Sequence, residues 1–383
     1  MILKLAWRNL WRNRSRTLIT MMSVFFAVLL AVLLASLADG IYGKLIKNAV
    51  NFYTGYIQVH KKNYWDERIL DNTIVYKSKE FAPLETDPEI VSMSPRLESF
   101  MLASFNDHTK GCFVAGVVPE KEAEMISLKE RLIQGEFIKS TSMEVLITEG
   151  LSNKLHAKLH DTIILLGQGY HGATAAGKYR IKGVLKFSSA EINESFIFMP
   201  LKQAQYLFSA DSIVTSLVII PKNTDDLTEL QARLNGLLGN EYDIHTWKEI
   251  LPGLDQHVRM CTADVYIFIG VLYVLISFGI FGTLLMMLAE REKEFRMMVT
   301  IGMKRAQLGI IVLTESVFIT LTGSIIGALV GFPLTYYFKN NPIPLSGEYG
   351  EAYYSLLGFQ PDLVASTNPQ IILNQTAIVL GIA

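Results

Sequence analysis

Long uncharged runs alternate with polar sequence along this chain, and their lengths limit what it can be. Leu18–Leu37 is a run of 20 residues without a charge, Val265–Ala289 a run of 25, and Leu308–Phe338 a run of 31 broken once, by Glu315. A hydrocarbon layer about 30 Å thick is crossed by roughly 20 apolar residues in a helix. Each run is therefore long enough to span, which predicts spans at 18–38, 265–289 and 308–338. Between the first two lies a block of about 225 residues, 39–264, with the composition of a soluble domain and enough chain to bury its own core.

Shorter periodicities fill in that block. Runs rich in Val, Ile and aromatics predict strands at 55–60, 73–76, 112–118, 144–148, 162–166, 179–185, 195–199 and 217–220. Helices are predicted at 120–134, 150–159, 201–207 and 225–238, and the glycine-rich stretch 167–177 reads as a loop or hairpin tip. The domain is thus α+β. At its ends, Tyr42, Leu45, Ile46, Ala49, Val50 and Tyr53 recur at helical spacing, as do Leu254, Val258, Cys261 and Val265 after a Pro252-Gly253 start signal. Both spans are expected to continue outward as helical stalks. The apolar stretch 371–383 is too short to cross and reads as the first half of a fourth span whose remainder is absent. The predicted fold class is therefore membrane α-helical with four spans, the last incomplete, and a large extracytoplasmic α+β domain inserted between spans one and two.

Charge orients the spans. Residues 1–17 carry Lys4, Arg8, Arg12, Arg14 and Arg16 and no acid, and 290–307 carries Arg291, Lys293, Arg296, Lys304 and Arg305. The loop 339–370 has Lys339 as its one basic residue, with Glu348, Glu351 and Asp362. Basic residues favour the cytoplasmic side, so 1–17 and 290–307 are expected inside, and the 39–264 block and 339–370 outside. Leu5, Trp7, Leu10 and Trp11 among Arg8 and Arg12 make 1–17 an amphipathic helix at the membrane surface. A cleaved signal peptide is the rival for the first run, but its 20-residue core exceeds the usual ~7–15.

Composition adds little beyond this. The chain is 50% hydrophobic with a formal net charge of −1, which points to no nucleic-acid partner. Cys112 and Cys261 could pair in an oxidising compartment or remain two thiols. No metal-ligand spacing, hydrolase constellation or phosphate loop ending in Gly-Lys-[Ser/Thr] is present, so no metal, no catalysis and no ATP site of its own are expected. The segment 290–309, EREKEFRMMVTIGMKRAQLG, is different. Phe295, Met298, Val299 and Ile301 lie on one apolar face, Gly302 ends the helix, and charges rim it. Such a face reads as a docking surface for a partner or as a turn lying on the membrane. Glu315, inside the third run, should face protein and pair with Arg305 or with a cation of a neighbouring span.

Taken in order, these features resemble the permease subunits of the macrolide-efflux, lipoprotein-release and FtsX-like cell-division ABC systems, the mechanotransmission or type VII family. The resemblance rests on Ala6-Trp7-Arg8-Asn9-Leu10 at the start and on Glu290, Arg291, Glu294, Phe295, Ile301, Gly302, Lys304 and Arg305 after span two. Glu315, Gly323, Gly327 and Gly331 in span three add to it. Gly55–His60 is most similar to the lipoprotein-release (LolE-like) subgroup; Arg296 and Thr300 depart from the family pattern. The resemblance implies a permease dimer, homo- or hetero-, in a bacterial inner membrane. Its implied partners are membrane lipid, two copies of a separate ATPase that bind ATP and Mg, and a lipoprotein substrate or periplasmic protein. The implied coupling residues are Glu290, Arg291, Glu294, Phe295, Met298, Ile301, Gly302, Met303, Lys304 and Arg305, with Tyr42, Leu45, Ile46, Ala49, Leu254 and Val258 as stalk. Peptide or small-molecule efflux, an FtsX-like regulator of a periplasmic enzyme and a membrane-anchored sensor stay open as alternatives.

Overall fold

The computed structural model describes residues 14–76, 78–187, 189–224, 226–344, 347 and 362–382. The chain divides into two compact units. One comprises Met1–Leu45, Gln256–Leu345 and Pro361–Ala383, the other Ile46–Asp255 and Ser346–Gln360. The amphipathic helix expected over 1–17 lies outside the described residues as far as Asn13, as does most of the 339–370 loop.

Among the described residues, three helices are long and apolar enough to cross a membrane: Arg14–Ala49, Pro252–Glu290 and Arg305–Asn340. The expected fourth span corresponds to a helix of 14 residues, Pro369–Ile382, short of the roughly 20 that a crossing needs. The first helix lies at the centre of this unit. Its Val24, Val28 and Val32 pack with Ile280 and Val379, and its Ala31 and Ala35 with Ile269. Towards the third helix it meets glycines at every fourth position. A Cβ on Gly323 or Gly327 would fall 2.8 or 3.0 Å from the carbonyl oxygens of Met21 or Phe25. Backbones this close are the packing that small residues permit between membrane helices. Gly327→Val is therefore expected to cost about 1–3 kcal/mol by overpacking. Gly331→Ala, whose nearest neighbour would be the Val32 side chain at 3.3 Å, should be tolerated; unfolding temperatures in detergent compare the two.

The other unit is built on a mixed sheet. The unit's strands are β1 (Ile57–Lys61), β2 (Ile74–Val75), β3 (Ile90–Phe105), β4 (His108–Val117), β5 (Leu132–Gly135), β6 (Val145–Thr148), β7 (Thr162–Gln168), β8 (Thr174–Leu185), β9 (Phe196–Pro200), β10 (Ile213–Val214), β11 (Ser216–Pro221) and β12 (Tyr242–Thr246); β2 and β10 pair with each other as a separate ribbon, outside the sheet. The second half of β3 pairs with both β4 and β7, and the pairings β3–β4–β9–β6–β8–β7 close on themselves. Inside that ring lie Met101, Ala103, Cys112, Val114, Ile147, Ile163, Leu165, Ile181 and Ile197. The first half of β3 pairs with β11, which leads through β1 to β12. A second core there unites Ile57, Val59, Leu217, Ile219 and Trp247 with Val50, and Ile46 and Leu254 pack against it.

Several sequence expectations shift here. β3, the longest strand at 16 residues, is absent from the predicted set because Pro95 and Arg96 interrupt its apolar pattern. Pro95 sits where β3 pairs with β11 alone, before the pairing with β4 begins at Leu97, so its missing N–H is tolerated as at a sheet edge. The helix predicted over 120–134 is Pro119–Met125, followed by a 3-10 turn at Leu128–Arg131 and by β5. Burial of Ile126 and Leu128 and the pairing of β5 with β8 override helix propensity. The stretch 167–177 forms the tip of the β7–β8 hairpin. Cys112 and Cys261 are both free thiols, and burial pushes that of Cys112 up to about 12.

His60 is buried in the second core, with Thr215 O and Gln58 Oε1 each 2.9 Å from one ring nitrogen and His245 beside it. Burial lowers its pKa from 6.5 to about 4. Between those values the unfolded chain binds the extra proton. Stability is thus complete above about pH 6.5 and falls as the pH drops towards 4, by about 3 kcal/mol in all. Unfolding temperatures at pH 7.5 and 4.5 should show this slope, and His60→Asn should flatten it.

Candidate functional site

The chain between the second and third long helices builds a short, stiff turn. The second helix ends at Glu290, Arg291 breaks it, and a nine-residue helix, Glu292–Thr300, follows. That helix stops by backbone chemistry: Met303 N–H donates to Met298 O (3.1 Å) and Gly302 N–H to Val299 O (3.0 Å). Gly302 sits at φ +102°. This pair of bonds is the Schellman C-cap, and its left-handed residue is nearly always glycine. Lys304 N–H then donates to Gln307 Oε1 at 3.2 Å, opening the third helix.

A buried ion pair fixes the base of the turn. Arg291 Nη1 donates to Glu315 Oε2 at 2.8 Å, and both side chains are almost inaccessible, at 7% and 2%. Arg291 Nε lies 3.5 Å from Glu294 Oε2, and its guanidinium stands 5.9 Å from the Phe295 ring centroid. The partner expected for Glu315 was Arg305 or a cation of a neighbouring span; it is the cation closing the second. Arg305 begins the helix that carries Glu315, ten residues away, which is about 15 Å along the axis and beyond its reach.

The predicted apolar face divides. Phe295 and Met298 are half-buried, and Phe295 lines a groove of about 400 Å³ with Leu284, Leu288 and Leu308. Ile301 is 81% exposed and Met297 58%. Met297 escaped the sequence reading, although its i+4 spacing to Ile301 marks it. Glu290, Lys304 and Arg305 are exposed, Glu294 and Met303 half-buried, and Arg296 pairs with Glu292. The turn thus offers a partner a charged rim and a projecting apolar pair.

The stalk residues fall in both units. The first helix continues past its uncharged run to Ala49 and passes into a π-helical turn, Val50–Thr54. Leu45 is buried, and Tyr42, Ile46 and Ala49 are half-buried. Beside them Ser366 N–H donates to Ser36 O at 2.7 Å, and Lys44 pairs with Asp362. Leu254 and Val258, on the second helix, are half-buried. The π-turn is tied to the sheet by a residue with no sequence signal. Arg96, on β3 and fully buried, donates to Tyr53 O and stacks 4.4 Å over the Tyr53 ring. It also binds Glu122 with two bonds, Nε–Oε1 at 2.8 Å and Nη2–Oε2 at 2.7 Å. Burial opposes the Arg96 charge, but Glu122 more than offsets it, so the guanidinium is held protonated more firmly than in water.

Residues 17–237 match the family model for the MacB-like periplasmic core domain, and residues 266–361 that for the FtsX-like permease C-terminal region. The lipoprotein-releasing system transmembrane protein LolC of Neisseria meningitidis serogroup B is 20% identical over 262 residues, 63% of this chain. The chain spans 61% of the length of that relative. The periplasmic region of MacB from Actinobacillus actinomycetemcomitans is similar with a TM-score of 0.40 at 15% identity, over 55% of this chain and 98% of that one. The extracellular domain of the noncanonic ABC-type transporter YknZ from Gram-positive bacteria gives 0.36 at 14% identity, over 50% of this chain and 100% of that one.

Proposed function

The chain belongs to the MacB/LolC/FtsX family of ABC-type inner-membrane permeases with a periplasmic core domain, and from that premise we propose that it is the subunit through which a separate ATPase moves the outer domain. The N-terminus and the 290–305 turn are cytoplasmic in this reading. Two ATPase copies dock on the turns of a permease dimer and supply ATP and Mg; this chain binds no nucleotide. The observation that carries the reading is the turn itself. It is a backbone-capped helix held by a buried ion pair, with Met297 and Ile301 projecting between two long helices. Of those two, the second long helix starts at Pro252, beyond its apolar run, and its Leu254 packs on the outer core; the first long helix, which packs against the second, likewise runs past its apolar run to Val50 of that core. A push on the turn would reach the outer domain as helix movement rather than as bending of a loop.

The cargo we propose is a lipid-anchored protein, by the similarity to LolC. Lipoprotein kept in the inner membrane of a depleted strain would support it. Release at the normal rate would exclude lipoprotein as the cargo and leave docking untouched. For docking, Ile301→Asp and Met297→Asp are expected to cut ATPase co-purification in mild detergent about tenfold or more, as loss of a central apolar anchor does. The folded yield should be unchanged, because both side chains are exposed. Undiminished recruitment by both variants would count against docking at this turn.

A further inference from the structure

The groove beside the turn has a chemistry of its own. One wall is Leu284, Leu288 and Phe295; the other is Leu308, Val312 and Leu313 from the first turns of the third long helix. At about 400 Å³ it falls in the size range of ligand sites, roughly 300–1,000 Å³. Apart from Phe295, its walls belong to the ends of the uncharged runs 265–289 and 308–338, so hydrocarbon is the solvent they meet in a membrane. The rows of the third helix that line it, Leu308–Val312 and Gly309–Leu313, lead back to the start of that helix, the second of them one turn back to Arg305, with the N-cap Lys304 just before it.

Charge selects the occupant. Glu292 is taken by Arg296, and Glu294 and Glu315 lie against Arg291. Among the described residues Lys304 and Arg305 form no ion pair, and both are exposed. Long basic side chains at the end of a span reach to the headgroup layer, and basic pockets between membrane helices suit anionic headgroups. We propose that this groove binds an anionic phospholipid, one acyl chain lying along Leu308 and Leu313 and the phosphate held by Lys304 and Arg305. The site needs only the membrane reading. ATPase docking is read by co-purification, so either can fail without the other.

The test is native mass spectrometry of the full chain in neutral detergent, titrated with phosphatidylglycerol or phosphatidylcholine. Wild type should prefer phosphatidylglycerol. Lys304→Gln/Arg305→Gln should lose about 20- to 30-fold of that affinity, the worth of two cations near a lipid surface. Gly309→Phe should abolish binding of both lipids by filling the groove; a Cβ at Gly309 meets nothing within 4 Å, so the variant should fold. Equal affinity for the two lipids in wild type, or unchanged phosphatidylglycerol binding by Gly309→Phe, overturns the proposal. A photo-crosslinker at Leu313 separates the occupants. A phospholipid adduct supports the site, whereas a link to a second copy, to the ATPase or to residues 1–13 of this chain overturns it.

Discussion

Arg291→Met is expected to remove most of the folded protein from the membrane fraction. The substitution leaves Glu315, 2% exposed, as a carboxylate without its cation inside a helical bundle. Breaking a buried pair from one side costs about 3–5 kcal/mol, against a total of roughly 5–15 kcal/mol for a folded domain. Glu315→Gln should cost less, because a neutral amide strands the cation of Arg291 near the headgroups, where it can reach water or phosphate. The diagnostic is the double variant Arg291→Met/Glu315→Met. Replacing both partners by apolar side chains of similar length removes the desolvation cost as well as the attraction, so folded yield should return most of the way. Detergent-resistant folded protein, read by fluorescence-detected size exclusion, checks all three. If the double variant fares as badly as Arg291→Met alone, the pair is not what holds the turn.

This pair also marks how far sequence alone reaches. The spans are legible because an uncharged run of 20 or more residues needs no tertiary information to be read. The position of Gly302 at the end of the short helix is legible too, since a left-handed C-cap demands that residue. Glu315 is legible as a buried carboxylate in need of a cation, yet its partner is not. Arg291 lies 24 positions away, in the break just after a different helix, and the choice depends on how the helices pack. The same cause hid β3. Its apolar alternation is broken by Pro95 and Arg96, and those positions make sense only once β11 covers one side and Glu122 supplies a counter-charge. The helix expected over 120–134 failed for the complementary reason: a helix-forming composition gave way to burial of Leu128 and to pairing of β5 with β8. Phe295 shows a subtler limit. Periodicity put it on an apolar face, but which of two faces turns inward is settled by the neighbouring helices, and Ile301 with Met297 is the exposed pair.

Arg96→Met should be the most damaging substitution in the outer domain, and its consequences separate stability from coupling. Arg96 and Glu122 are both fully buried. Removing the arginine strands the Glu122 carboxylate and takes the donor from Tyr53 O, at an expected cost of about 3–5 kcal/mol. Arg96→Met/Glu122→Met should recover most of that loss, since an apolar pair of similar volume needs no desolvation. It does not restore the bond from Arg96 to Tyr53 O, which ties the π-helical turn Val50–Thr54 to β3. The double variant is therefore expected to keep a near-normal unfolding temperature while amides 50–56 exchange faster with solvent and the strands of the closed ring keep their protection. If the first long helix carries work into the outer domain, this variant should also hydrolyse ATP with its partner but release cargo poorly. Unchanged exchange at 50–56 would mean that packing of Val50 and Tyr53 alone secures the helix end, and Arg96 would then matter for the stability of the core and not for the transfer of force.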